Sequence, residues 1–407
     1  MKVIQINCVY GKGSTGKITA DLHNALLENG VDSYVFYGRG IKSTDKNVIK
    51  VSRDFGSRVR RLFSSITGEI FAFSVLTNVK MHSMIKKIKP DLVHLQCING
   101  YCFDVYRLIS FLKKQNIPTV LTMHAEFMYT GGCGYSLECD QYKKGCVKCP
   151  RLKSGLGVYG FDRVKKNYKR MLNAFKNFDV KVVGVSDWIS NRAKESLIMQ
   201  RNKIITIHNG INTNDVFYPR EYYDLYKKYS IPTNKKIVLT VLPNLQSDLK
   251  GGPFFLKLAQ EMLKRCSNFH FIIIGAKDTN INYCNNLTII SYTENQIELA
   301  KFYSMADVFF LGSKMDNYPT VCVEANSCGT PVVGFDVGGV SETIKENLGE
   351  VVPYGDIKLV EDKLIFWAER KSIISREIRD KIMAYNSTER MVSDYIFLYK
   401  EILNESN

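Results

Sequence analysis

At 407 residues the chain is too long for one ordinary core and fits two domains of roughly 200 residues. It is 45% apolar and 24% charged with ten prolines, a globular composition, and no run approaches the roughly 20 apolar residues that a membrane-crossing helix needs. The net charge of +16 asks for an anionic partner, whether nucleic acid, a membrane surface or a substrate.

The opening MKVIQINCVYG has too short an apolar core for a secretory signal and reads as a first strand, Val3–Asn7, which points to the cytosol. The loop Gly11–Lys17 nearly spells a phosphate-binding P-loop, but Ile18 stands where a magnesium-holding hydroxyl is required. What survives is a set of backbone amides around Gly11, Gly13, Ser14, Thr15 and Gly16 able to approach an anion at a helix start, or else a plain tight turn. A helix over 16–29 stops at Gly30, and Val35–Tyr37 is a second strand. Between Arg53 and Lys89, eight Arg and Lys residues interleave with Phe55, Leu62, Phe63, Ile66 and other apolar residues. This predicts a basic amphipathic helix suited to an anionic lipid surface, the alternative being an ordinary helix with a solvated basic face. Leu92–Leu95 and Val120–Met123 are buried-type strands with a helix over 105–114 between them. His124 ends the second of these strands and is placed to hydrogen-bond a sugar hydroxyl, whereas His94 suits a core position.

Eleven cysteines are many for a reducing compartment. Cys133, Cys139, Cys146 and Cys149 are spaced C-x5-C-x6-C-x2-C, and four thiolates of this kind can close a structural zinc site that leaves no open position for catalysis. Buried thiols or two disulfides are the other readings. The remaining cysteines are scattered and read as small buried apolar residues. A basic helix around 163–178 and strands near 181–185 and 204–208 complete the first half.

The second half restarts the rhythm. Strands at Ile237–Val241, His270–Ile274, Leu287–Ile290, Val308–Leu311 and Val332–Phe335 alternate with helices at 254–265, 297–305 and 321–327. Two such series predict two α/β domains with doubly wound parallel sheets. The boundaries fall at 1–212 and 213–387, with a hinge in 212–234 and a last helix, 388–407, crossing back to the first domain. Lys250, in NLQSDLKGGPF, can neutralise a diphosphate as a point charge. In SKMDNYPTVCVEANSCGTPVV, Asp316 precedes Glu324 by eight positions, and Tyr318, Pro319 and Thr320 lead into a helix whose amides suit phosphate. No Asp-x-Asp pair occurs, which favours neutralisation by lysine and helix amides over a divalent metal.

LVHLQCINGY, LTMHAEFMYTGGC through GCVKCP, VVGVSDW, IHNGIN, LKGG and DNYPTVCVEANSCGTPVVGFDVGGVSE together resemble a family-four, GT-B-type retaining glycosyltransferase, in particular the bacterial branch that builds colanic acid, capsule and O-antigen. The resemblance implies two Rossmann-like domains facing across a cleft. It implies that Glu324 bonds the ribose hydroxyls of a UDP- or GDP-sugar, that Asp316 lies near the donor sugar and that Lys250 contacts the diphosphate. Its usual arginine partner falls on Asn244, which is neutral and weakens the diphosphate clamp. His124 takes the acceptor-side histidine's place, with Ala125 and Phe127 where the branch usually has Asp and Trp. The resemblance also implies a lipid-linked oligosaccharide acceptor, a peripheral position at the anionic inner membrane surface and no catalytic cofactor. Two further readings are a nucleotide-sugar epimerase of the same fold and a zinc-containing nucleic-acid-binding protein. Nucleic acid is disfavoured because the basic residues are spread over both halves and no basic recognition helix follows the cysteines.

Overall fold

The computed structural model describes residues 1–405 except 277–282, 294, 346 and 371–375. The chain separates into two compact units, Met1–His208 with Met391–Asn407, and Asn209–Arg390. The expected boundaries sit a few residues away from these. The first unit holds β1 (Lys2–Val9), β2 (Asp32–Arg39), β3 (Val48–Lys50), β4 (Leu92–Leu95), β5 (Thr119–Met123), β6 (Val180–Gly184) and β7 (Ile204–Thr206), in spatial order β3-β2-β1-β4-β5-β6-β7. The second holds β8 (Lys236–Val241), β9 (Phe269–Ile274), β10 (Leu287–Ile290), β11 (Val308–Leu311), β12 (Val332–Phe335) and β13 (Gly349–Val352), in order β10-β9-β8-β11-β12-β13. Neighbouring strands in both sheets pair in parallel.

Parallel strands are covered on both faces, so they read as largely apolar runs; β1 buries every residue from Val3 to Cys8, Gln5 and Asn7 included, and β9 every residue from Phe269 to Ile274. Strand order reverses between β1 and β4 in the first sheet and between β8 and β11 in the second. Loops leaving these strands at their carboxyl ends border the crevice where open α/β sheets bind ligands.

Several elements depart from expectation. The first helix begins at Gly13 rather than Gly16, so Ser14, Thr15 and Gly16 lie in its first turn. The basic stretch 53–89 forms two helices, Asp54–Thr67 and Val75–Ile88, not one. Gly68 ends the first in the left-handed region (φ 73°), where glycine has no side chain to clash. The expected hinge contains a short helix, Tyr223–Lys228. Pro319 is the cap residue just before the helix Thr320–Ser327 rather than a member of its first turn.

The helix Thr388–Glu405 belongs to the first unit from Met391 onward. Met391, Val392, Tyr395, Leu398, Tyr399 and Ile402 form its buried stripe and share a core with Val3, Leu22, Leu26, Leu92 and Val120. Polar groups fix its register. His94 Nδ1 lies 2.7 Å from Tyr399 Oη, and His94 Nε2 lies 2.7 Å from Thr122 Oγ1, which is 2.9 Å from Tyr395 Oη. Burial first, then the nearby His124, lower the His94 pKa to about 3, so the ring is neutral and its role here is structural. Tyr399→Phe would leave a buried ring nitrogen without its partner. A loss of about 1–3 kcal/mol is expected, read as a lower urea midpoint at unchanged slope.

Candidate active site

In the second unit, two loops leave the sheet at the β8/β11 reversal and are zipped together. The Lys314 amide donates to the Leu249 carbonyl at 2.9 Å, Lys314 pairs with Asp248, and Lys250 Nζ lies 2.7 Å from Asp316 Oδ2. Glycines permit this approach. A Cβ on Gly251 would come within 1.9 Å of the Gly312 carbonyl oxygen, and on the loop after β12 one on Gly338 would come within 2.1 Å of the Asp316 carbonyl oxygen. Asp316 Oδ1 also accepts from the Asn317 amide at 3.0 Å, which fixes the carboxylate at the mouth of the helix Thr320–Ser327. Pro319 offers that helix no side-chain cap, so its first-turn amides are not occupied by a capping side chain. Tyr318 just upstream is buried.

Glu324 accepts from Tyr303 Oη at 2.8 Å. Tyr303 is wholly buried on the helix Gln296–Met305, and burial together with the Glu324 charge raises its phenol far above the ordinary range. It is a donor that orients the carboxylate, and its place in KFYSMADVFF, an apolar helix end, gave no sign of that role in the sequence. Asn244 is exposed, and its Oδ1 accepts from the Gln246 amide at 2.9 Å, so it shapes its own loop. A cavity of about 610 Å³ in this unit, lined by Tyr222, Tyr226, Lys236 and Asp307, lies at the amino ends of the strands, opposite the glycine-lined loops. Its position runs against the binding rule for open sheets, so the loops are the better candidate.

In the first unit, Gly11 (φ 64°) and Gly13 (φ 66°) take left-handed conformations that open the turn after β1. The Gly11 amide donates back to the Gly16 carbonyl at 2.8 Å, and Asn7 Nδ2 holds the Thr15 carbonyl at 3.0 Å. His124 follows β5, and its Nε2 lies 2.8 Å from Gln96 Oε1, while Gln96 Nε2 donates to Gln5 Oε1 at 3.1 Å. Gln96 therefore faces His124 with an acceptor, which puts the proton on Nε2 and leaves Nδ1 as a lone pair. Burial lowers the His124 pKa to about 4, so this neutral form holds at pH 7.

Three cysteines read as scattered converge at the carboxyl ends of β1 and β4. The Gly100 amide donates to Cys8 Sγ at 2.9 Å, and Cys8 N–H donates to the Cys97 carbonyl at 2.9 Å. The Cys102 thiol is pulled down to about 7, first by its hydrogen bond with Cys8, then against burial by Ser57 and by the charges of Arg39 and Arg60.

The cysteine-rich insert is anchored at Glu126, which is wholly buried. Its carboxylate accepts from Arg192 Nε at 2.9 Å, Tyr129 Oη at 2.8 Å and Ser136 Oγ at 2.8 Å. Arg192 also lies over the Tyr142 ring, 4.8 Å from its centroid. Burial first, then neighbouring cysteines of the block, raise the Cys133, Cys146 and Cys149 thiols, but no three sulfurs of the four cysteines lie within 4.8 Å of one another among the described residues. The donor set suits zinc: the Gly131 amide bonds Cys146 and the Arg151 amide bonds Cys149, as thiolates require. Burial pushes Cys133 to about 12 and Cys146 to about 11 as free thiols, so a metal would have to drive their deprotonation.

Residues 15–215 match the domain described as Glycosyltransferase Family 4, and residues 224–389 match Glycosyl transferases group 1. Two parallel sheets, each with its switch-point loops, and this pair of matches define the class: the chain belongs to the GT-B glycosyltransferases. It is 21% identical over 422 residues to the putative colanic acid biosynthesis glycosyl transferase WcaC of Escherichia coli K12, covering 99% of this chain and 100% of that one. Over 206 residues, 47% of this chain and 54% of the relative, it is 27% identical to the N,N'-diacetylbacillosaminyl-diphospho-undecaprenol alpha-1,3-N-acetylgalactosaminyltransferase of Campylobacter jejuni. The fold matches Anabaena Alr3699/HepE in complex with UDP-glucose at a TM-score of 0.66 and 14% identity, over 100% of both chains.

Removing Arg192 would strand the Glu126 carboxylate in a dry site. Arg192→Ala is expected to lower stability by about 3–5 kcal/mol in denaturant unfolding. Glu126→Gln in the same background should recover part of that loss, because it removes the stranded charge.

Proposed function

We propose that this chain transfers a hexosyl-type sugar from a UDP- or GDP-sugar, with retention, to a lipid-linked or oligosaccharide acceptor in surface polysaccharide assembly. The observation that carries the reading is the Lys250–Asp316 pair, set beside a helix start without a side-chain cap at the β8/β11 switch point. A diphosphate there meets one fixed ammonium and a row of helix amides, which together stabilise the charge that grows on the leaving group. Asp316 keeps Lys250 extended before the donor arrives and then offers its oxygens to hydroxyls of the donor sugar. Glu324, oriented by Tyr303, accepts from the ribose hydroxyls. A donor phosphate oxygen takes the proton of the incoming acceptor on the same face, so no protein base is assigned. His124, at the end of β5, is the residue we assign to the acceptor side.

The HepE relative is described with UDP-glucose, and the Campylobacter relative is named for a diphospho-undecaprenol-linked acceptor; both support these classes of partner. An acceptor of that kind places the enzyme at the anionic inner face of a membrane. No helix among the described residues is long and apolar enough to cross one.

A thermal-shift panel of UDP-, GDP- and ADP-sugars tests the donor assignment. A matching donor at about one hundred times its Kd should stabilise by about 2.7 kcal/mol. Lys250→Ala and Glu324→Ala are each expected to weaken that donor by roughly tenfold or more, from the loss of charge-assisted hydrogen bonds. Unchanged affinity for every nucleotide would refute the assignment. The four insert cysteines are assigned to a structural zinc. Metal analysis of reduced, chelator-washed protein should find about one zinc per chain, and folded zinc-free protein would rule that site out.

A further inference from the structure

The helix Asp54–Thr67 is inside out. The residues it buries are Ser57 and Ser64, 3% and 1% exposed, while Phe55, Leu62, Phe63 and Ile66 stand 77%, 62%, 58% and 55% exposed. At 3.6 residues per turn, Phe55, Leu62 and Ile66 form one stripe with Phe63 at its margin, and Arg58 and Arg61 run along one side. An exposed stripe of this kind marks an interaction surface, since water gains nothing from it.

A second segment widens the stripe. The strap 158–163 lies along the end of the helix: the Tyr159 amide donates to the Ser65 carbonyl at 2.8 Å and the Phe161 amide to the Ile66 carbonyl at 3.2 Å. Gly160 allows the contact, because a Cβ there would lie 1.8 Å from the Ile66 carbonyl oxygen. The strap buries Val158 but turns Tyr159 and Phe161 outward, 72% and 67% exposed. Asp162 ties it to the cysteine block by accepting from the Cys149 amide at 2.8 Å. Arg53, Arg58, Arg61 and Arg163 are exposed around this face and form no ion pair among the described residues.

We infer that this face, built from the helix Asp54–Thr67 and the strap 158–163, is the part of the chain that enters an anionic lipid surface. The proposal deepens the membrane part of the reading above and rests on it. The aromatic and aliphatic tips lie at the boundary of headgroups and acyl chains, and the arginines meet lipid phosphates without first breaking ion pairs. Charge complementarity selects this occupant: a second copy of the same face would bring its arginines against one another.

Co-sedimentation of the full chain with phosphatidylcholine–phosphatidylglycerol vesicles, against phosphatidylcholine alone, tests it. Wild-type protein should bind the mixed vesicles, more weakly as salt rises. Arg58→Ala/Arg61→Ala should lower that binding by roughly tenfold or more. Leu62→Ser/Ile66→Ser and Phe161→Ser should each lower it by a factor on the order of ten. The unfolding midpoints should stay at the wild-type value, because every changed side chain faces solvent. If the wild type ignores both vesicle types, the membrane reading itself falls. If it binds and the variants bind equally, the membrane reading stands and this face is not the anchor. Variants that abolish wild-type self-association while leaving vesicle binding intact would assign the face to a second copy and overturn the proposal.

Discussion

Backbone crowding where β8 and β11 release their chains is the constraint on which the second unit's site depends. Gly251 lies where a side chain would collide with the main chain at Gly312, and its lack of a Cβ lets the two loops close to ion-pairing distance, while Gly338, on the loop after β12, lets a third backbone close against Asp316. An ammonium held this way has lost much of its rotamer freedom before any ligand arrives. Binding then costs less entropy than it would for a lysine recruited from solvent. The helix entrance beyond Tyr318 adds amides that need no rearrangement, so the anion meets a surface already in place.

The first unit uses a different device. Its polar groups near the strand ends are linked in short, dry relays: Gln5 to Gln96 to His124, His94 to Thr122 and the two tyrosines, Glu126 to Arg192. Each buried group in these chains is neutral or paired, as a low-dielectric interior demands. The relays fix tautomers and orientations. They explain why a histidine can stand at the end of β5 without being charged at neutral pH.

The strands and most helices were legible in the sequence, because a parallel sheet buried on both faces leaves largely apolar runs. β3 and β13 were not, since short edge strands are half-covered and carry too few apolar residues to stand out. Lys250, Asp316 and Glu324 could be singled out from the sequence because they sit among glycines and prolines, whose backbone demands are local. Tyr303, Gln96 and Arg192 act through contacts made far along the chain and leave no local mark. The inside-out character of the helix Asp54–Thr67 was hidden for a related reason. Periodicity shows that a helix has two faces and cannot say which one the rest of the protein covers, and here serines face inward. The two helices of this region were merged into one because left-handed Gly68 is, to a pattern of apolar residues, only one more small residue.

His94 and Tyr399 touch across 305 positions of sequence. During synthesis the first sheet leaves the ribosome long before the helix that finishes its core, so one flank stays open while the whole second unit is made. The early half of the chain therefore carries an uncovered apolar flank until the last helix arrives, and a substitution in that helix would be felt at the beginning.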